Sequence, residues 1–211
     1  MTRSTPPIMA RRPALLAAAM LLLLAPGCDR VTETLGLTGN VAAVAPAPVG
    51  PERLRVTLPA TGAEATLAPV ARNRNATVWQ TLDGITLTFR EGVLAQTRGL
   101  GQDVMTSDVT NTLAMLRGAP GDGYYPQFRS YLDGEDRTVF RTYQCRRTGR
   151  TDRQVTIDQT PLRLHRIEET CTSPRTRFTN IYWLDGNGTV MKSRQWINPS
   201  IGAMETERVL R

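Results

Sequence analysis

Short alternating stretches bounded by glycine turns constrain this chain more than any other feature. Ile85-Thr86-Leu87-Thr88-Phe89 puts Ile85, Leu87 and Phe89 on one face, with Asp83-Gly84 before it and Glu91-Gly92 after it. A period of two is the repeat of a pleated strand with one buried face, and Asp-Gly beside such a run signals a hairpin. Strand composition recurs at 54–58, 65–70, 78–81, 93–97, 138–145, 154–157, 162–167, 177–184, 189–197 and 205–210. Asp185-Gly186-Asn187-Gly188 forms a turn between two of these runs. Regularly spaced strands with short turns predict an antiparallel meander. One segment differs: Ser107-Asp108 precedes Val109, Leu113 and Leu116, and Gly118 to Gly123 follows. A polar N-cap, helical spacing and a closing glycine predict a helix of roughly ten residues. The expected fold is mainly β, a large antiparallel meander sheet that is curled or barrel-like, with one short helix.

The chain does not begin with that domain. Arg3, Arg11 and Arg12 precede the apolar run Ala14 to Ala25, which ends in Ala25-Pro26-Gly27-Cys28. Twelve apolar residues are too few for a membrane span, which needs about 20, and fit the core of a secretory signal. A small residue followed by cysteine directly after such a run is the pattern of a bacterial lipoprotein, so Cys28 is the expected lipidation site. Two or three acyl chains, at roughly 0.8 kcal/mol for each buried CH2, hold a protein on a bilayer where one chain does not. Residues 1–27 are thus read as a lipoprotein signal peptide, 28–50 as a flexible tether rich in small residues and proline, and 51–211 as a single β-rich domain.

Cysteine usage fits an oxidising compartment. With Cys28 lipidated, Cys145 and Cys171 remain, and a disulfide closing a loop of about 25 residues is the expectation over the alternative of two buried thiols. Two cysteines without a CxxC, and His165 as the single histidine, supply too few soft ligands for structural zinc, and no metal or cofactor is expected. Asp133, Glu135 and Asp136 around Gly134 do not have the spacing of a calcium loop and read as a polar turn.

Removing residues 1–27 removes three arginines and no acidic residue, so 23 basic against 19 acidic side chains leave +4 where the whole chain carries +7. Residues 137–177 hold ten arginines against four carboxylates, which makes that segment +6. Gathered on one face they would attract an acidic polysaccharide or lipid headgroups; spread over alternating positions they are a solvated surface. Nucleic acid is not an expected partner of an exported chain. The aromatics offer a second clue. Tyr124 and Tyr125 stand in a Gly/Pro-rich stretch and, with Arg146 and Arg147, are the candidate ligand-binding residues; Trp183 and Trp196 flank a hairpin, where cross-strand packing also uses them. There is no GxSxG, HExxH or phosphate loop, and Gly99-Leu100-Gly101-Gln102-Asp103 lacks the third glycine of a dinucleotide fingerprint. His165, inside a strand, reads as a solvated or core side chain.

The run from Gly92 to Asp108, the Cys145 and Cys171 pair, and Ile181-Tyr182-Trp183-Leu184-Asp185-Gly186-Asn187-Gly188 followed by Ser193-Arg194-Gln195-Trp196 resemble the YjbF/GfcB lipoproteins, also called group 4 capsule polysaccharide lipoproteins. The likeness spans the domain from Glu52 to Arg211. It implies a small antiparallel β lipoprotein that takes part in polysaccharide production or export, and it carries no catalytic residues. The leading expectation is a non-catalytic lipoprotein on the periplasmic face of a Gram-negative envelope, in either membrane, binding polymer or an export protein. Its partners would be the membrane through the anchor, an acidic polysaccharide and polysaccharide-export proteins. The alternative is a polysaccharide-modifying hydrolase or lyase using dispersed carboxylates, which need no proximity in sequence.

Overall fold

The structure, a computed structural model, describes residues 45–118, 123–133, 135 and 137–210. The expected signal segment, Cys28 and the tether up to residue 44 lie outside the described residues, as does Asp136. The compact unit begins at Ala45. Its elements are β1 (Arg53–Leu58), β2 (Ala63–Asn73), β3 (Ala76–Gln80), β4 (Thr86–Arg90), β5 (Val93–Arg98), β6 (Val104–Ser107), α1 (Thr110–Leu116), β7 (Tyr125–Leu132), β8 (Thr138–Ile157), β9 (Thr160–Thr172), β10 (Arg177–Leu184), β11 (Val190–Asn198) and β12 (Gly202–Val209).

All twelve strands form one antiparallel sheet in the order β5-β4-β3-β2-β1-β12-β11-β10-β9-β8-β7-β6. Every neighbour is also next in sequence except β1 and β12, whose pairing (Val56 opposite Thr206) joins two meanders into a nearly closed barrel. The two ends of the sheet meet through side chains. Thr97 at the end of β5 donates to Asp103 Oδ1 at 2.6 Å and accepts the Val104 amide at 2.9 Å. The backbone of β5 is satisfied elsewhere by a buried side chain: Gln195 Oε1 accepts the Leu94 amide at 2.8 Å while its Nε2 donates to the Gly92 carbonyl at 2.9 Å. Gly92 serves twice here. Its φ of +88°, after Glu91 at +48°, makes the tight β4–β5 hairpin, and a Cβ at this position would stand 2.5 Å from Val190 Cβ.

Alternation then decides the core. Val93 and Ala95 join a cluster with Val109, Met115, Tyr143, Ile167 and Tyr182, whereas Leu94 joins a second cluster with Leu54, Leu67, Leu87, Ile197 and Met204. Because β5 is buried on both faces, it separates two apolar halves of one barrel.

Two expectations from sequence change. Helix α1 has seven residues rather than about ten, and its N-cap, Val109, makes no side-chain hydrogen bond. Asp108 Oδ1 instead accepts the Thr110 amide, which turns the chain into the helix one step later, and Gly118 at φ +95° ends it. The runs 138–145 and 154–157 are not two strands but parts of the 20-residue β8. The charged stretch between them continues the ladder because extended backbone tolerates arginine, and a bulge between Arg147 and Gly149 absorbs the irregularity. Beyond Cys145, β8 leaves β7 behind, and the first residues of β9 extend past β10, so the two form a protruding hairpin. Asp158 at its tip pairs with Arg55 at 3.3 Å, gives its amide to Glu207 and accepts the Leu210 amide. The hairpin is thereby fixed back onto β1 and β12.

Candidate functional site

Strand parity sorts the polar residues into an enclosed set and an open set. On β9, Ile167, Glu169 and Cys171 turn inward. Glu169 is fully buried, and its carboxylate accepts Thr112 Oγ1 at 2.6 Å, the Tyr125 hydroxyl at 2.7 Å, Asn180 Nδ2 at 2.8 Å and the Tyr182 hydroxyl at 3.5 Å. Burial first, and then the adjacent carboxylate, push the Tyr125 and Tyr182 phenols far above their ordinary range, so both stay protonated and donate. A buried cation is linked to this carboxylate through two intervening side chains. Arg129 Nε donates to Gln127 Oε1 at 3.1 Å, Gln127 Nε2 to Thr112 Oγ1 at 3.2 Å, and Thr112 completes the link to Glu169. The guanidinium also gives Nη1 to the Trp196 carbonyl at 2.8 Å and lies over the Phe178 ring at 5.2 Å. Next to this chain of bonds Cys145 and Cys171, opposite each other on β8 and β9, form a disulfide of 2.06 Å. A carboxylate enclosed by four donors does not reach a polymer, so Glu169 organises the interior.

The open set lies on the outside of the same strands. Tyr124 is 66% exposed, and the Arg146 guanidinium lies 5.1 Å over its ring. Tyr125, by contrast, is the first residue of β7 rather than a loop residue, and it faces the interior. Arg147 is half-buried opposite Glu169 in the β8–β9 register. Of the four residues singled out from sequence, the structure therefore brings Tyr124 and Arg146 together at the surface and turns Tyr125 inward. From Arg146 a row of hydroxyls crosses the wall: Thr148 to Thr170 and Thr170 to Thr179, each at 3.0 Å.

At the far end of that row the sheet splays. Pairing of β10 with β11 stops at Ile181 opposite Arg194, and the Trp196 amide bonds instead to the Asn180 side chain at 2.8 Å. The opening is a groove of about 650 Å³ lined by Arg177, Phe178, Thr179, Ile181, Arg194, Trp196 and residues 59–60 and 202–203. Phe178 and Trp196 stack at 5.5 Å between centroids and 9° between planes, so the indole is held rigid at the groove wall. Arg177 is exposed, and Arg194 Nε lies 4.0 Å from Glu205. An aromatic wall and two guanidiniums lining one groove suit a sugar ring that carries a carboxylate, since guanidinium and carboxylate match in a bidentate pair.

Neither arrangement was visible from motifs. The groove depends on where two strands part, and the buried carboxylate depends on which residues oppose it. A signal for Glu169 did exist: it shares parity with Ile167 and Cys171, which places a carboxylate inside. His165 lies on the protruding hairpin, with Nδ1 2.7 Å from Asp152 Oδ1.

The family description that fits this architecture is the group 4 capsule polysaccharide lipoprotein family gfcB/YjbF, whose sequence model matches residues 43–209. The chain belongs to the YjbF family. Comparison with curated proteins gives no match. Among solved structures, the hypothetical lipoprotein YmcC from Escherichia coli K12 superimposes with a TM-score of 0.57 at 17% identity, covering 76% of this chain and 83% of that one. A putative exported protein with a YmcC-like fold from Bacteroides fragilis aligns at 12% identity and a TM-score of 0.30, covering 78% and 96%. The first of these shows the shared fold. Membership of the YjbF family gives the chain a role in capsule or related polysaccharide biosynthesis or export at the cell envelope.

Proposed function

We propose that this YjbF-family protein is a non-catalytic lipoprotein, anchored through Cys28 on the periplasmic face of a membrane, that binds the polysaccharide during its production or export. The observation that supports the reading is the groove between β10 and β11, whose lining brings together Trp196, Arg177 and Arg194. An aromatic plane and two guanidiniums are groups that bind an acidic sugar. Tyr124 and Arg146, at the other end of the threonine row, repeat the pairing of ring and cation and extend the contact along the polymer. Confinement by the anchor raises the effective concentration of polymer, so a weak contact at each end suffices.

The test titrates the full chain in detergent with an acidic capsule-type polysaccharide. The Arg177→Ala/Arg194→Ala variant should weaken binding about tenfold or more, and added salt should weaken the wild type as well. Polymer length should stay constant throughout. Shortening of the polymer by the purified protein would establish the hydrolase or lyase alternative, and equal binding by the variant would move the site away from the groove.

A further inference from the structure

The protruding hairpin leaves one strand edge without a neighbour. β7 pairs with β8 only from Leu132 opposite Thr138 to Tyr125 opposite Cys145, so among the described residues the edge of β8 from Arg150 to Thr156 faces no strand. Which backbone groups point outward follows from the register. Cys145 and Cys171 are directly opposed with Cα atoms 4.0 Å apart, the spacing of a non-hydrogen-bonded pair. Counting through the bulge, Arg150, Asp152, Gln154 and Thr156 also stand in non-hydrogen-bonded pairs, so their N–H and C=O groups point away from β9. Pro161, opposite Thr156, confirms the phase, because a proline fits where the amide is not needed by the partner strand. A ready row of donors and acceptors thus runs along an edge exposed on both faces.

Such an edge recruits another strand unless something prevents it. Here the flanking charges select the partner. Arg150, Arg153 and Arg163 surround the edge, while the nearby carboxylates are already engaged: Asp152 with His165 and Arg163, and Glu168, beside Gly149, with Arg166. A second copy of this chain would bring the same cations against themselves. We propose that the β8 edge from Arg150 to Thr156 binds an extended acidic segment of a protein partner by strand addition, with backbone bonds supplying affinity and the arginines supplying selectivity. This surface is separate from the groove at Trp196.

The probe is a labelled ten-residue peptide alternating Glu and Thr, titrated by fluorescence anisotropy against the full chain in detergent. Saturable binding is expected, with none for the Lys/Thr counterpart. Gln154→Pro removes one outward amide and leaves the β9 ladder intact, so it should weaken binding about tenfold while polysaccharide binding is unchanged. The wild-type chain provides a check that needs no variant: a probe N-methylated at four central residues keeps its charge, loses its donors and should bind at least about tenfold more weakly. Equal affinity for the methylated and parent probes would reduce the site to charge alone and overturn the proposal. Absence of saturable binding would overturn it too, as would a dimer of the free chain that Gln154→Pro dissolves.

Discussion

Glu168 and Glu169 are adjacent in sequence and on the same strand, yet they belong to opposite regions of the molecule. Glu169 faces the interior, where two hydroxyls of tyrosine, one of threonine and an asparagine amide converge on it. Glu168 faces outward, one-third exposed, and pairs with Arg166, which itself lies over the Trp183 ring at 5.7 Å. A buried charge persists only when its hydrogen-bonding capacity is filled, whereas a charge in water needs no partner. The inner face therefore shows closed networks, and the outer face keeps arginines available for ligands. Stability and binding are assigned to alternate residues of the same strands.

The comparison breaks most visibly at Glu169. Glu169→Ala leaves four donors turned toward an empty space and should cost about 3–5 kcal/mol, read as a loss of denaturant midpoint. Glu168→Ala should stay within about 1 kcal/mol of wild type. Equal losses in the two variants would mean that the interior network contributes no more than a surface pair. The inner face can also be weakened covalently. Cys145→Ala/Cys171→Ala, which opens a link between residues 26 apart, should cost about 2–4 kcal/mol by the same measurement and leave polymer affinity at the groove unchanged.

The smallest effect belongs to the outer hairpin and depends on pH. The hydrogen bond from His165, with the charges of His165 and Arg163, holds the Asp152 carboxyl below its ordinary value. A carboxyl lowered in the folded state adds stability above its unfolded value, near 4, and that stability is lost as the pH falls through the folded value. His165→Ala should bring the Asp152 carboxyl back toward the ordinary range in an NMR titration while leaving the melting temperature at neutral pH nearly unchanged. An unmoved Asp152 titration would show that the His165 contact does not set it.

Much of this architecture was legible in the sequence because strands announce themselves locally. The alternation from Ile85 to Phe89 and the turns at Asp83-Gly84 and Glu91-Gly92 need no distant information, and each is present in the fold. The Cys145–Cys171 disulfide was expected from cysteine count and compartment, and the β8–β9 register sets the two residues opposite each other. Arg146 to Arg153 misled in a specific way. A charged stretch reads locally as an interruption, and only pairing with β9 shows that it continues the strand. Tyr125 misled similarly, since a neighbouring glycine and proline suggested a loop while its register position opposite Cys145 turns it inward.

The sequence by itself determined the kind of structure: a β meander, one short helix, and two cysteines available to pair. The tertiary structure decided what depends on residues far apart in the chain. Closure of the barrel rests on β1 meeting β12, burial of Glu169 on donors from α1, β7 and β10, and the groove at Trp196 on β11 parting from β10. A hydrogen bond between adjacent residues follows from local geometry. One that spans a hundred residues, like that between Gln195 and Leu94, exists only after the sheet has curled and set both ends in place.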